Sequence, residues 1–320
     1  MDETEFADLA EAHRRELQVH CYRLLGSLDE AEDLVQETFL RAWRAREQYA
    51  GRASLRAWLY KIATNTCLDF LDRAPRVVPS VDLPVASGSH LAPRPAAAVP
   101  WLQPGPDDLL DAAVARETVE LAFLAAVQYL SPRQRAVLIL RDVVGWTAKE
   151  TATTLETTPA SVNSSLLRAR AELKEQLPSR RTEWRVESSG DERAVVSRYM
   201  AAITAGDDQA IAAVLRDDVR CSHQPGAGGH EGPEPTWYGG RATVLAGWAP
   251  VLHGPDAMEL RMREVRANGG PAVATYLRHD GAFRAFGLNT LLVVDGSVAE
   301  VTTFVPGAFK AFGLPEVLPA

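Results

Sequence analysis

Between Thr158 and Lys174 the chain gathers side chains suited to touching nucleic acid: Ser161, Asn163, Ser164, Ser165, Arg168 and Arg170. Hydroxyls, an amide and guanidinium groups near a helix N-terminus can hydrogen-bond base edges and phosphates in a major groove. Their placement depends on local signals. Thr158-Pro159 is a cap followed by proline at the first helical position, and Val162, Leu166 and Leu167 are expected to turn inward. Upstream, Ser131-Pro132 starts a helix through Val137, Leu138, Leu140 and Arg141, which Gly145 ends. Thr147 caps a short helix over residues 148–155 with Ala152 and Leu155 toward the core, and Glu156-Thr157 makes the turn. This is helix-turn-helix spacing. An ordinary helical hairpin with a solvated polar face is the alternative.

Composition limits what surrounds this unit. A chain of 320 residues holds two or three domains, and no apolar run approaches the roughly 20 residues of a membrane span. The acidic, amphipathic start MDETEFADLAEAHRREL is unlike a signal peptide, so a cytoplasmic protein without membrane contact is expected. Cys21, Cys67 and Cys221 are too few and scattered for a disulfide framework or a metal site. A net charge of −8 argues against a nonspecific nucleic-acid coat. The charge is uneven. Residues 1–73 hold 10 Lys and Arg against 14 Asp and Glu, a net −4, whereas residues 131–185 hold 10 against 6, a net +4.

The first 73 residues read as helices. After a break at Gly26-Ser27, residues 29–43 form an amphipathic helix with Leu34, Val35, Thr38, Phe39, Ala42 and Trp43 on its apolar side. Asp29, Glu30, Glu32, Asp33, Gln36 and Glu37 leave an acidic exterior. A loop over residues 49–54 leads to a further helix over residues 55–73, where Trp58, Tyr60, Lys61, Thr64 and Asn65 bring aromatic, cationic and amide groups together. Such a mixture can hold unstacked bases, although each aromatic alone is more often core.

These two segments resemble a known family. DEAEDLVQETFLRAW followed by SLRAWLYKIATNTCLDFL is similar to region two of bacterial sigma factors of the extracytoplasmic-function group. SPRQRAVLILRDVVGWTAKETATTLETTPASVNSSLLRARAEL resembles their region four. The resemblance implies a transcription-initiation subunit that binds core RNA polymerase, recognises promoter DNA and helps melt it. It places Asp29, Asp33, Gln36 and Glu37 against the clamp coiled coil of the largest polymerase subunit, and region four near the flap. Arg52 and Ser54, in the 49–54 loop, would hold a flipped base, with Lys61 and Asn65 beside the nontemplate strand. Asn163, Ser164, Leu167 and Arg168 would read the upstream promoter element, with Arg170 near phosphate. The family often carries basic residues where this chain has Asn163 and Ser165, which implies weaker phosphate attraction and more dependence on tethering by polymerase.

Eight prolines lie between Pro75 and Pro106, so this linker is no regular helix. It is a plain spacer on composition; the resemblance implies a strand threaded through polymerase channels. Asp107-Asp108 is expected to cap a helix running to about Tyr129.

From about Asp191 onward the pattern changes. Residues 193–205 and 209–215 read as helices ending at Gly206 and Arg216-Asp217-Asp218. A short run at residues 219–222, a glycine- and proline-rich loop to Trp237 and a helix over residues 242–248 follow. Alternating runs at 258–265, 272–278, 283–294 and 298–304 then read as strands with turns at Gly269-Gly270, Asp280-Gly281 and Asp295-Gly296. This α+β order, with WYGGRATVLAGWAPVL before the strands, resembles the SnoaL-like cone shared with nuclear transport factor two. Two all-α sigma domains, the second a helix-turn-helix, are therefore expected at 1–73 and 108–178. A linker at 74–107 joins them, and a second at 179–190 leads to the cone at 191–320.

The cone can enclose a pocket lined by His223, Trp237, Tyr238, Trp248, Tyr276 and Phe304. Some relatives of the cone fold are enzymes, and His223, His253, His279 and Asp280 are acid-base candidates by type, but no acid-base pair is legible in their spacing. No catalytic residue, cofactor or metal is expected. A class of these sigma factors carries such a domain in place of a membrane anti-sigma protein, so a regulator acting on the linker or the promoter-binding modules is the preferred reading. A helix-turn-helix regulator with a ligand-binding cone, and a cone with enzymatic activity of its own, are the alternatives.

Overall fold

Side-chain caps fix most of the helix starts. The computed structural model describes residues 8–49, 54–78, 96–110, 118, 120–177, 190–230, 232–254 and 257–319. The chain folds as two compact units, one of residues 1–78 with 108–177 and one of residues 79–107 with 178–320.

In the first unit, α1 (Arg14–Leu25) ends where Gly26 takes φ 75°, a left-handed conformation that lets its N–H bond the Tyr22 carbonyl. Ser27 caps α2 (Leu28–Arg44), whose buried residues Ala31, Leu34, Val35, Thr38 and Ala42 follow helical spacing. Ser54 caps α3 (Leu55–Arg73), and the three helices pack on one another. Next come α4 (Asp107–Leu110) and α5 (Leu121–Gln128). The single helix expected from Asp107 to Tyr129 is thus not continuous, because Glu120 is extended at ψ 139° and the turn before Leu121 cannot be helical. Reciprocal capping boxes, Ser131 with Gln134 and Thr147 with Glu150, start α6 (Pro132–Leu138) and α7 (Ala148–Thr154). Between them lie a π-helical turn (Ile139–Val143) and Gly145 at φ 81°. Thr158 then caps α8 (Pro159–Gln176).

One buried side chain ties α6 to α1. Arg135 is 3% exposed and donates to the carbonyls of Leu24, Gln128 and Leu130 and to Gln128 Oε1. No carboxylate is among its partners in the described residues, and burial pushes its pKa down to about 9.

In the second unit, α9 (Gly190–Ala205) and α10 (Asp208–Val214) precede the sheet. Strand β1 (Leu215–His223) follows at once, so the helix stops just before Arg216 as expected, while Arg216, Asp217 and Asp218 themselves belong to a strand. The loop read as irregular contains β2 (Thr236–Gly239), which pairs antiparallel with β1. After α11 (Arg241–Leu252) come β3 (Leu260–Ala267), β4 (Gly270–His279), β5 (Ala282–Val294) and β6 (Ser297–Phe304). Their connections carry positive φ at Asn268-Gly269, Asp280-Gly281 and Asp295-Gly296, the geometry of tight primed turns. A 3-10 segment (Pro306–Phe312) and β7 (Val317–Leu318), beside β5, complete the chain.

The sheet order is β2-β1-β6-β5-β4-β3, with β1 and β6 parallel. Val195, Val196, Tyr199, Ile203, Ile211 and Val214 of the helices pack with Val219, Cys221, Val273, Leu291 and Val301 of the strands. By alternation, Ala272, Ala274, Leu288, Thr302 and Phe304 face the other way, and they too are buried. This is an α+β domain with both sheet faces covered. Among the described residues no helix is long and apolar enough to cross a membrane, and no group of three His, Cys, Asp or Glu is placed to hold a metal.

Candidate functional site

In the helix-turn-helix, Val162, Leu166 and Ala169 of α8 are buried at i, i+4 and i+7, which turns Ser161, Asn163, Ser164, Arg168 and Arg170 outward. Leu167, expected inward, is 72% exposed and joins the outer face instead. The reason is helical phase: the inward stripe passes through Ala169. Arg170 is held by a two-point ion pair to Asp142, at 2.8 and 2.7 Å, so its guanidinium points back to the π-helical segment rather than standing alone.

On α2, Asp29, Asp33 and Gln36 are exposed. Glu37 is half-buried and bonded by Arg41 at 2.8 Å, and Arg41 also reaches Asp69 on α3. Its charge is therefore already balanced within the chain. On α3, Trp58, Lys61 and Asn65 are half-buried and share one face at i, i+3 and i+7, with Trp58 against Tyr49 at 5.0 Å between ring centres. Tyr60 and Thr64 fall on the other side. Both are buried, Thr64 bonded to His20 at 2.9 Å and Tyr60 to Glu16 at 3.2 Å. The mixture legible in sequence thus divides into a core pair and a surface trio. Ser54 spends its hydroxyl accepting from the Ala57 amide, and Arg52 lies outside the described residues.

The cone brings together only part of its expected pocket. His223 Nε2 lies 2.9 Å from the Tyr238 hydroxyl, which accepts from Trp248 Nε1 at 3.1 Å. Trp237, Tyr276 and Phe304 are elsewhere. Phe304 pairs with Leu288 on the opposite sheet face, Trp237 pairs with Ser222 and lies over Arg220 there, and Tyr276 packs edge-on to Phe309. Strand register, which no single strand reveals, put them apart. His253 Nε2 lies 2.9 Å from Asp208 and His279 Nε2 lies 3.2 Å from Asp280, both at the surface. Burial, with His230 adding to it, holds His223 largely neutral with its pKa lowered to about 4.

The opposite sheet face carries a contact that composition did not suggest. Residues 96–107 of the linker belong to this unit, and Ala96, Ala97, Ala98, Val99 and Leu102 are buried. The 3-10 turn Ala96–Ala98 packs over β6, an interior strand whose other face the helices hold. Gln224, directly after β1, is 2% exposed and donates its amide to the carbonyls of Val99 at 3.0 Å and Leu102 at 2.7 Å. Further along, Asn268 in the β3–β4 turn exchanges two bonds with the Gly105 main chain, at 2.9 and 2.8 Å. Pro106 bridges Ala267, and Asp107 accepts from the Gly269 amide at 2.7 Å and from Arg266 at 2.9 Å. Arg266 also reaches Glu192 at 2.9 Å; burial opposes its charge, but Glu192 and Asp107 outweigh that and raise its pKa. The linker is therefore read mainly through its backbone, with one charged anchor at its end. The only sequence signal for this was the apolar trio Val99, Trp101 and Leu102 in a proline-rich stretch.

Comparison with known proteins bears on all three parts. Family models match Sigma-70 region 2 at residues 9–77, Sigma-70 region 4 at residues 120–173 and a SnoaL-like domain at residues 196–301. Two helical modules in this order, the second a helix-turn-helix, define the sigma-70 class. The ECF RNA polymerase sigma factor SigG of Mycobacterium tuberculosis is 40% identical over 325 residues, covering 98% of this chain and 85% of that protein. SigJ of the same organism is 29% identical over 303 residues, covering 93% and 81%. The crystal structure of SigJ aligns with a TM-score of 0.63 at 22% identity, over 97% of this chain and 99% of that one, which shows a common fold. The chain belongs to the extracytoplasmic-function (ECF) RNA polymerase sigma factors.

Proposed function

We propose that this sigma factor docks on core RNA polymerase through region 2, reads promoters with both helical modules, and is regulated by its own C-terminal domain through the hold on the linker. Asp29, Asp33 and Gln36, exposed on α2, form the surface for the clamp coiled coil, with Glu37 orienting Arg41; region 4 meets the flap. Trp58, Lys61 and Asn65 form the face for the melted nontemplate strand, continued by Ser54 and Arg52. Asn163, Ser164, Leu167 and Arg168 contact base edges of the upstream element, and Arg170 approaches phosphate from its bond to Asp142. The working boundaries are region 2 at 1–73, region 4 at 108–178 and the SnoaL-like domain at 191–320, in a cytoplasmic protein that works without a cofactor of its own. The cone serves as a regulator rather than an enzyme.

The observation that carries the regulatory reading is the linker. A segment that in this family threads polymerase channels is here buried at Ala96, Ala97, Ala98, Val99 and Leu102 and bonded from Val99 to Asp107. The same backbone cannot occupy both places, so polymerase binding competes with the C-terminal domain. The test is transcription by core polymerase with the full chain and with Gln224→Ala. The variant is expected to need less protein for half-maximal output at unchanged promoter sequence. Equal dose curves remove the regulatory reading; no transcription from either protein removes the initiation role.

A further inference from the structure

Two guanidinium groups stand on the exposed side of α8, and they differ in what holds them. Arg168 has no acid bonded to it among the described residues, whereas Arg170 is gripped at both Nε and Nη2 by the Asp142 carboxylate, at 2.8 and 2.7 Å. The pair lies outside the core, with the Arg170 side chain 58% exposed and that of Asp142 30% exposed. Helical spacing sets Arg170 on one flank with Asn163 and Leu167, at i, i+4 and i+7. The clamped cation therefore continues the row of residues proposed above to contact base edges.

Asp142 reaches α8 from a stretch of backbone that departs from the α-helix. Ile139–Val143 turns as a π-helix, with the Val144 amide bonded to the Ile139 carbonyl at 2.9 Å and the Trp146 amide to the Leu140 carbonyl at 2.9 Å. The neighbouring cation, Arg141, donates into this turn, to the Trp146 carbonyl, and Asp142 meets Arg170.

A DNA phosphate must displace Asp142 to gain Arg170, and the carboxylate so released stands close by and repels the phosphate. An exposed ion pair is weak enough to be exchanged, so the outcome depends on how firmly the DNA is held nearby. A free chain meets phosphate at its bulk concentration, whereas a module tethered by polymerase meets it at a far higher effective concentration.

We propose that Asp142 is a positioning residue that withholds Arg170 from DNA in the free chain and yields it to a promoter phosphate in the polymerase-bound state. A phosphate contact carries no sequence information, so cancelling it in the free chain removes nonspecific affinity and leaves base readout intact. This rests on the phosphate role proposed above for Arg170.

The test measures DNA binding by fluorescence anisotropy across a range of salt concentrations. For the free full chain on a short duplex without a promoter, Asp142→Asn is expected to tighten binding and to steepen the slope of log K against log salt by about 0.9, the value of one phosphate contact. Arg170→Ala breaks the same ion pair, so a change caused by lost packing would appear in both single variants; steepening is expected in Asp142→Asn alone and is expected to vanish when Arg170→Ala is added to it. No steepening in Asp142→Asn overturns the proposal, and so does steepening that survives Arg170→Ala, which would make Asp142 a repelling charge only. In the complex with core polymerase on promoter DNA, Arg170→Ala is expected to flatten the slope by about 0.9 and Asp142→Asn to steepen it less than in the free chain. A slope unmoved by Arg170→Ala removes the phosphate role itself and the proposal with it. Equal steepening by Asp142→Asn in both states leaves that role standing and overturns the withholding.

Discussion

Each unit of this molecule fastens distant chain segments with one buried side chain that donates to backbone carbonyls, yet the two fasteners differ in strength. Arg135 in the helical unit is charged and divides its bonds among four acceptors, of which only the Leu24 carbonyl lies in region 2. Gln224 in the sheet unit is neutral, and both of its side-chain acceptors belong to the linker. Parting region 2 from region 4 therefore costs Arg135 one bond of four. Parting the linker from the sheet costs Gln224 both. Hydrogen bonds to a charged donor are worth about twice those to a neutral one, so the guanidinium secures the interior of region 4 while the amide acts as a clasp.

That contrast is open to attack in order of expected effect. Arg135→Ala strands four buried acceptors and should destabilise the helical unit by about 3 kcal/mol in urea unfolding. A loss under 1 kcal/mol would mean water replaces the guanidinium freely. Gln224→Ala should cost about 2 kcal/mol locally, read as faster exchange at residues 96–107 with helical-unit stability unchanged. Loss in both units would show that the amide is not confined to the linker.

Acid tests the two units through their buried histidines. His20, buried in the helical unit, has its pKa lowered to about 3, chiefly by burial, and His223 in the sheet unit to about 4. Both are ordinarily near 6.5, so between pH 6.5 and 4 the unfolded chain binds more protons and stability falls as pH falls. Each contributes up to about 1.4 kcal/mol per pH unit in that window. His20→Gln should flatten the slope of the helical unit alone, and an unaltered slope would remove His20 as its source. Last, Thr147→Ala removes the α7 capping box and should cost about 1 kcal/mol, without touching the linker.

Local signals made much of this fold legible. Ser131, Thr147 and Thr158 announce helices because a cap acts on residues within one turn, and Asp280-Gly281 and Asp295-Gly296 announce hairpins for the same reason. What stayed hidden depends on distant partners. The parallel pairing of β1 with β6 joins Cys221 to Val301, and only that register tells which aromatics share a face with His223. Trp237, Tyr276 and Phe304 accordingly looked like neighbours of His223 and are not joined to it. The linker misled for a related reason: alanine and proline describe a spacer until the surface that buries Ala97 and Val99 is known.

The two helical modules became legible through two motifs in the expected order, but the linker contact, made largely to backbone, has no motif. Its consequence is direct. The Asn268 amide donates to the Gly105 carbonyl at 2.9 Å, so it reports whether the linker is seated. Hydrogen exchange at Asn268, measured in the free sigma factor and in its complex with core RNA polymerase, tests the central claim: protection in the free chain and its loss in the complex are expected, and equal protection in both would contradict it.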